Sequence, residues 1–271
     1  MLSPALSITL RYAAVPVVFT VIGAAGGVYW PAMARWRGHV LHLAAGVVFS
    51  VVAVELLPEI QRRALVWDVV IGFALGIATM LIVDRVLDRI RGDDDDSPAA
   101  RASGERFDAG AEPAAASGSS TVAASSSLPL SLVAAVGIDF LLDGLLLGVG
   151  FAAGARIGIL LALAEAAEQL SVGLALAGEL RRSRMRSAPI LLLVSALGSL
   201  VFLSAVLGAT VLGGLEGGAM EIVLSFGAAA LLYLVTEELL REAHEERETT
   251  LGTAMFFVGF LAFLVIGMTL D

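Results

Sequence analysis

Eight stretches of mostly apolar residues run through this chain of 271, and nothing else constrains its fold as strongly. They lie at roughly 8–30, 38–58, 66–84, 129–151, 156–180, 188–213, 219–240 and 250–270. About 20 such residues carry a helix across the hydrocarbon core of a bilayer. In lipid each backbone N–H and C=O must be satisfied within the spanning structure, so runs of this length read as helices. The expected fold is all-α, a polytopic membrane protein with eight transmembrane helices. The first run lacks a basic leader and a small-residue cleavage site, so it reads as a span rather than a removable signal. Composition points the same way: 58% of residues are hydrophobic, against about 45–50% in ordinary globular domains.

The charges that remain cluster between the runs. All 17 basic residues are arginine, and 26 acids leave a net charge of −9. Nucleic-acid partners are disfavoured, because phosphate binding needs a concentrated basic face. Without cysteine, disulfides, iron–sulfur clusters and thiolate zinc sites are excluded. Residues 91–127 ("RGDDDDSPAARASGERFDAGAEPAAASGSSTVAASSS") are too polar and small to bury a core, and read as a disordered linker. This linker separates spans one to three (1–90) from spans four to eight (128–271) of a single membrane domain. Its Asp93–Asp96 run reads as a solvated stretch. Arginines concentrate in alternate loops, most clearly at Arg181, Arg182, Arg184 and Arg186. The positive-inside rule then predicts both termini outside and the linker in the cytoplasm.

A shift of 183 residues aligns "AAGVVFSVVAVELLPE" (44–59) with "GAAALLYLVTEELLRE" (227–242), placing Glu55 on Glu238 and Glu59 on Glu242. In the predicted topology the two segments cross the membrane in opposite directions. An inverted repeat of spans one to three and six to eight, around central spans four and five, is therefore expected. Transporters built this way bind substrate near mid-membrane between the repeats.

Spans four and five hold the charges that need explaining. Asp139 and Asp143 in "GIDFLLDGLLLGVG" are spaced i, i+4, and Glu165 and Glu168 in "LALAEAAEQLSVG" are spaced i, i+3, so each pair shares one helical face. Gln169 broadly shares the face of Glu165. An ionised acid at mid-membrane costs roughly 2.5–3.5 kcal/mol, and such residues usually mark ion paths or proton relays. No arginine or histidine lies mid-span to pair with these four. A bound divalent cation resolves the conflict, and so do protons, so the two are expected to compete. The plainer alternative is four protonated acids serving as interhelical hydrogen-bond donors.

Together "AAGVVFSVVAVELLPE", "DFLLDG", "AEAAEQL" and "AAALLYLVTEELL" resemble the ZIP (Zrt/Irt-like) divalent metal transporters over most of the chain apart from the linker. In that family the fourth span carries His-Asn-x-x-Asp/Glu-Gly and the fifth His-Glu-x-x-Glu. Here Asp139 takes the first histidine position, Phe140 the asparagine, Asp143 the acid and Gly144 the glycine. Ala164 takes the second histidine position, and Glu165 and Glu168 keep both acids. Both histidines and the sixth-span acid of many relatives are missing. The resemblance implies uptake of a divalent metal ion (zinc, manganese or iron class) as substrate, with no permanently bound cofactor, by a homodimer in the plasma membrane. Asp139, Asp143, Glu165 and Glu168 become a single candidate metal site. An all-oxygen set favours harder ions than imidazole does, so a broad or shifted preference among manganese, iron and zinc is expected, with magnesium a further candidate.

Two other functions stay open on the sequence: a transport-inactive protein that senses metal or scaffolds a partner, and proton-linked movement of a small solute. His39, His42 and His244, with Glu242 or Glu245, form a candidate exit site, though histidines near helix ends more often sit at headgroups. Glu59, beyond Pro58, is a candidate entrance acid. Gly144, Gly148, Gly150, Gly154, Gly173 and Gly178 are expected to bring spans four and five close together. No nucleotide-binding loop, Ser-His-Asp arrangement or HExxH is present, so enzymatic chemistry has no support.

Overall fold

The computed structural model describes residues 4–63, 65–95, 130–245 and 250–269, all helix and short connections, with no strand among them. Eight helices among the described residues are long and apolar enough to cross a membrane: Ser7–Tyr29, Arg37–Arg62, Val66–Arg89, Ser131–Ala153, Ala155–Arg182, Ser187–Leu212, Gly218–Leu239 and Thr250–Thr269. They are called spans 1 to 8 below. Each coincides with an expected run. The chain is thus a multi-pass helical membrane protein. The exposed aromatics suit that solvent, with Tyr29, Trp30 and Trp36 at one end of the bundle and Trp67 at the other, where headgroups meet hydrocarbon.

One boundary differs from expectation. The helix of span 3 continues to Asp95, inside the segment read as linker. Most of the linker, residues 96–127, lies outside the described residues.

Four helix pairs dominate the packing: spans 1 and 5, 4 and 6, 3 and 7, and 2 and 8. Lipid is as apolar as leucine, so association depends on close van der Waals fit, and small residues let backbones approach. Gly23 and Gly173 face one another's helices between spans 1 and 5, where a Cβ on either would collide with a backbone carbonyl. Gly144 and Gly148 sit in the same way on span 6. Here the sequence reading needs correcting: Gly144 and Gly148 pull span 4 onto span 6, and Gly173 pulls span 5 onto span 1. Only Gly150 meets span 5, at Gly158 and Leu161; Gly154 forms the connecting turn with φ 159°, and Gly178 faces open space. Sequence spacing identified residues suited to close contact, but which neighbour they contact depends on the assembled bundle.

The pattern of pairs is unchanged when spans 1, 2 and 3 are exchanged for 6, 7 and 8, and span 4 for 5. Local geometry follows the same exchange. Span 2 has a π-helical turn at Val52–Leu56 and span 7 one at Leu234–Leu239, the two stretches that the 183-residue shift superposes. In span 2 the cause is Pro58, which has no N–H for the carbonyl of Val54. The ladder widens instead, and the N–H of Leu57 reaches Val52. In span 7 Thr236 donates its hydroxyl back to the carbonyls of Leu232 and Tyr233, competing with the backbone ladder. A π turn inserts an extra residue and re-aims its side chains, and such turns are frequent at functional sites. Glu55 and Glu238 sit on these two turns.

Candidate metal centre

Asp143 lies near the midpoint of span 4 and Glu168 near the midpoint of span 5, the most buried of the eight. Asp143, Glu165 and Glu168 are 3%, 2% and 4% exposed, well inside the bundle. Helical spacing alone explains why each pair shares a face. Contact between spans 4 and 5, closed by the tight turn Ala153–Ala155, brings the two faces together.

One acid of the four is held. Asp143 Oδ2 accepts a hydrogen bond of 2.9 Å from Gln169 Nε2. Gln169 is fully buried, and its Oε1 lies 3.0 Å from Thr20 Oγ1, which also donates to the Pro16 carbonyl at 2.9 Å. A polar chain therefore runs from span 1 through span 5 to span 4. It is a structural device that fixes one carboxylate oxygen and leaves the other available.

Glu165 contrasts with this. Both of its carboxyl oxygens are buried without a hydrogen-bond partner. Its electrostatic neighbours are other acids, Glu168 and Asp143. None of Asp143, Glu165 and Glu168 has an arginine or histidine within ion-pair distance among the described residues. An unpaired buried polar group is costly, and a buried charge far more so. Among the described residues these three acids thus have no compensating positive charge.

Asp139 is placed differently, half-buried on the wall of a cavity of about 610 Å³. The cavity enters from the end of the bundle bearing Arg37, Arg182 and Arg241 and reaches Asp139 and Glu238. Glu238 of span 7 is the residue that sequence reasoning left out of the site. It interacts electrostatically with both Asp143 and Glu168. The repeat alignment carries a signal for it, since it pairs Glu238 with Glu55. It stands on the π turn of span 7.

The four predicted acids are therefore neighbours, divided between a buried floor (Asp143, Glu165, Glu168) and a cavity wall (Asp139 with Glu238). Among the described residues no three His, Asp or Glu side chains stand in a preassembled ligand set. Carboxylate oxygens are suitable donors for hard and borderline divalent ions, and ligation here would require side chains to swing together.

Two of the three histidines, His39 and His42, stand in the first turns of span 2. His42 is buried against Gly252, with Nδ1 on the Gly38 carbonyl at 2.8 Å, and His39 stands tilted beside the ring of Trp36. The side chains of His244, Glu242 and Glu245 lie outside the described set. Glu59 borders a second cavity at the opposite end of the bundle.

These features define a helical membrane protein with acids buried at mid-depth. The chain matches no protein-family model, and no curated protein matches its sequence at a significant level.

Proposed function

We propose that the chain is a ZIP-like transporter that carries divalent metal ions into the cytoplasm through the carboxylates between spans 4 and 5. The observation that carries this reading is the burial of Asp143, Glu165 and Glu168 beside one another without a basic partner among the described residues. Acids at mid-membrane are expensive, and a doubly positive ion is the partner that offsets several at once. Glu165, with both oxygens unpartnered, has free lone pairs for such an ion, and Asp143 has the oxygen that Gln169 leaves open.

The cavity supplies one half of a path. By arginine placement its open end is cytoplasmic, so the conformation is inward-open in the plasma membrane, with both termini outside. An ion leaving Glu168 and Asp143 would pass Asp139 and Glu238 on its way out. The exchange symmetry of the helix pairs suits an inverted repeat, in which one set of pairs rocks against the other to open the opposite face. All-oxygen ligation favours manganese or iron over zinc relative to a histidine site. A homodimer is the assembly that the resemblance implies.

Uptake of Mn²⁺ by liposomes holding the purified chain tests the proposal. Uptake abolished by Asp143→Asn and by Glu168→Gln supports it. Saturable Mn²⁺ binding without uptake replaces transport with metal sensing, and solute movement driven by a proton gradient without any metal replaces it with proton-linked transport.

A further inference from the structure

Gln169 carries no charge, yet it stands between the buried acids and span 1. Its Nε2 donates to Asp143 Oδ2 at 2.9 Å, and its Oε1 lies 3.0 Å from Thr20 Oγ1. Thr20 and Gln169 are both fully buried, so neither contact is shared with water. Asp143 Oδ1, by contrast, has no hydrogen bond among the described residues. The two oxygens of one carboxyl are therefore unequal: Oδ2 is held and Oδ1 is not.

Thr20 sets the direction of this chain. Its hydroxyl has one proton and two acceptors in reach, the Pro16 carbonyl at 2.9 Å and Gln169 Oε1. A carboxylate that ligates an ion only accepts hydrogen bonds, so the amide must turn Nε2 to Asp143 and Oε1 to Thr20. The hydroxyl proton then belongs on Oε1, and Thr20 is the donor that keeps Nε2 on the acid. The anchor is firm. Gly173, one helical turn past Gln169, lies so near the backbone carbonyl of Thr20 that a Cβ on it would collide there. Spans 1 and 5 are thus locked together at the level of the chain, and the amide is not free to follow a moving carboxylate.

We propose that Gln169, directed by Thr20, is a specificity-determining residue: it commits Asp143 to ligation through Oδ1 alone and so discriminates against Ca²⁺. The inference rests on the reading of these acids as a divalent-cation site, though not on transport through it. Ca²⁺ takes up to about eight oxygens and gathers them with carboxylates that chelate through both oxygens. Ions of the manganese class are satisfied by about six. Chelation by Asp143 would pull Oδ2 off the amide and strand a fully buried N–H, which is costly. An ion content with one oxygen of Asp143 requires no such loss.

Equilibrium dialysis of the purified chain against Mn²⁺ and against Ca²⁺ gives the two affinities and their ratio. Gln169→Leu is expected to move the ratio about tenfold toward Ca²⁺, the lower end of the roughly 10–100-fold that partners of metal-ligating groups control, with Mn²⁺ affinity little changed. Thr20→Val removes the hydroxyl and keeps the shape, and is expected to move the ratio the same way by a smaller factor. Thr20→Ser keeps the donor and is expected to leave the ratio at its original value. A chain that only braces the fold would weaken both ions together when broken, so the ratio separates specificity from stability. Should Gln169→Leu fail to fold, the contrast between Thr20→Val and Thr20→Ser decides. A ratio indifferent to every variant, in protein that binds Mn²⁺, overturns the role of Gln169 and leaves the metal site standing. Unaltered protein that binds neither ion overturns the metal site, and the proposal with it.

Discussion

Replacing Gln169 by leucine tests whether the polar chain from Thr20 to Asp143 holds the site together. The substitution keeps roughly the same volume, so no cavity opens, but it removes the donor 2.9 Å from Asp143 Oδ2 and the acceptor 3.0 Å from Thr20. Asp143, 3% exposed, is left without the amide of Gln169. A buried group deprived of its hydrogen bond costs about 1–3 kcal/mol in proteins generally. Within membranes the coupling of such pairs averages about 0.6 kcal/mol and reaches about 1.7, because the unfolded chain in lipid also finds partners. Gln169→Leu is therefore expected to destabilise the protein by about 1–3 kcal/mol, and a cycle with Asp143→Asn to show a coupling of about 0.6–1.7 kcal/mol. Unfolding in SDS, followed by the fluorescence of Trp30, Trp36 and Trp67, gives both quantities. Single effects that simply add, within about 0.3 kcal/mol, would refute the reasoning, since groups in direct contact should not act independently. The same variant frees both oxygens of Asp143, so its Mn²⁺ binding is expected to survive the loss of stability.

Three further outcomes follow from the packing and the charges. Glu165→Leu removes a carboxyl that has no partner and is expected to raise the melting temperature of the metal-free protein while weakening Mn²⁺ binding; a lowered melting temperature would show that Glu165 is satisfied in the fold. Gly148→Leu must push span 4 away from backbone atoms of span 6 that lie 2.8 Å from any added Cβ, and is expected to cost at least about 1–3 kcal/mol in the same SDS unfolding assay. Acidification from about pH 7.5 to about pH 5.5 is expected to weaken Mn²⁺ binding, because carboxylates must shed protons to ligate and binding releases them; calorimetry in buffers of different ionisation enthalpy reads that proton release directly.

Much of the architecture follows from composition and length alone. Each span appears as an apolar run, because lipid demands about 20 such residues whatever the neighbours are. The four acids of spans 4 and 5 stand out for the same reason, since a carboxylate among leucines is conspicuous without any knowledge of the fold. Helix partnership is another matter. Spans that are apolar on all sides present no polar face to mark which side turns inward. Three of the glycines expected to join spans 4 and 5, Gly144, Gly148 and Gly173, accordingly serve the pairs 4–6 and 1–5. Gln169 looked like a companion of Glu165 on one helix face, and its partners prove to be Asp143 and Thr20 on other spans. Glu238 enters the site through a π turn that no hydrophobic period encodes, and Arg156 meets Glu55 across 101 residues of chain. Local chemistry determines which residues are costly to bury, and that is legible one residue at a time. Which of them meet is set by the mutual fit of whole helix surfaces, and only the folded bundle decides it.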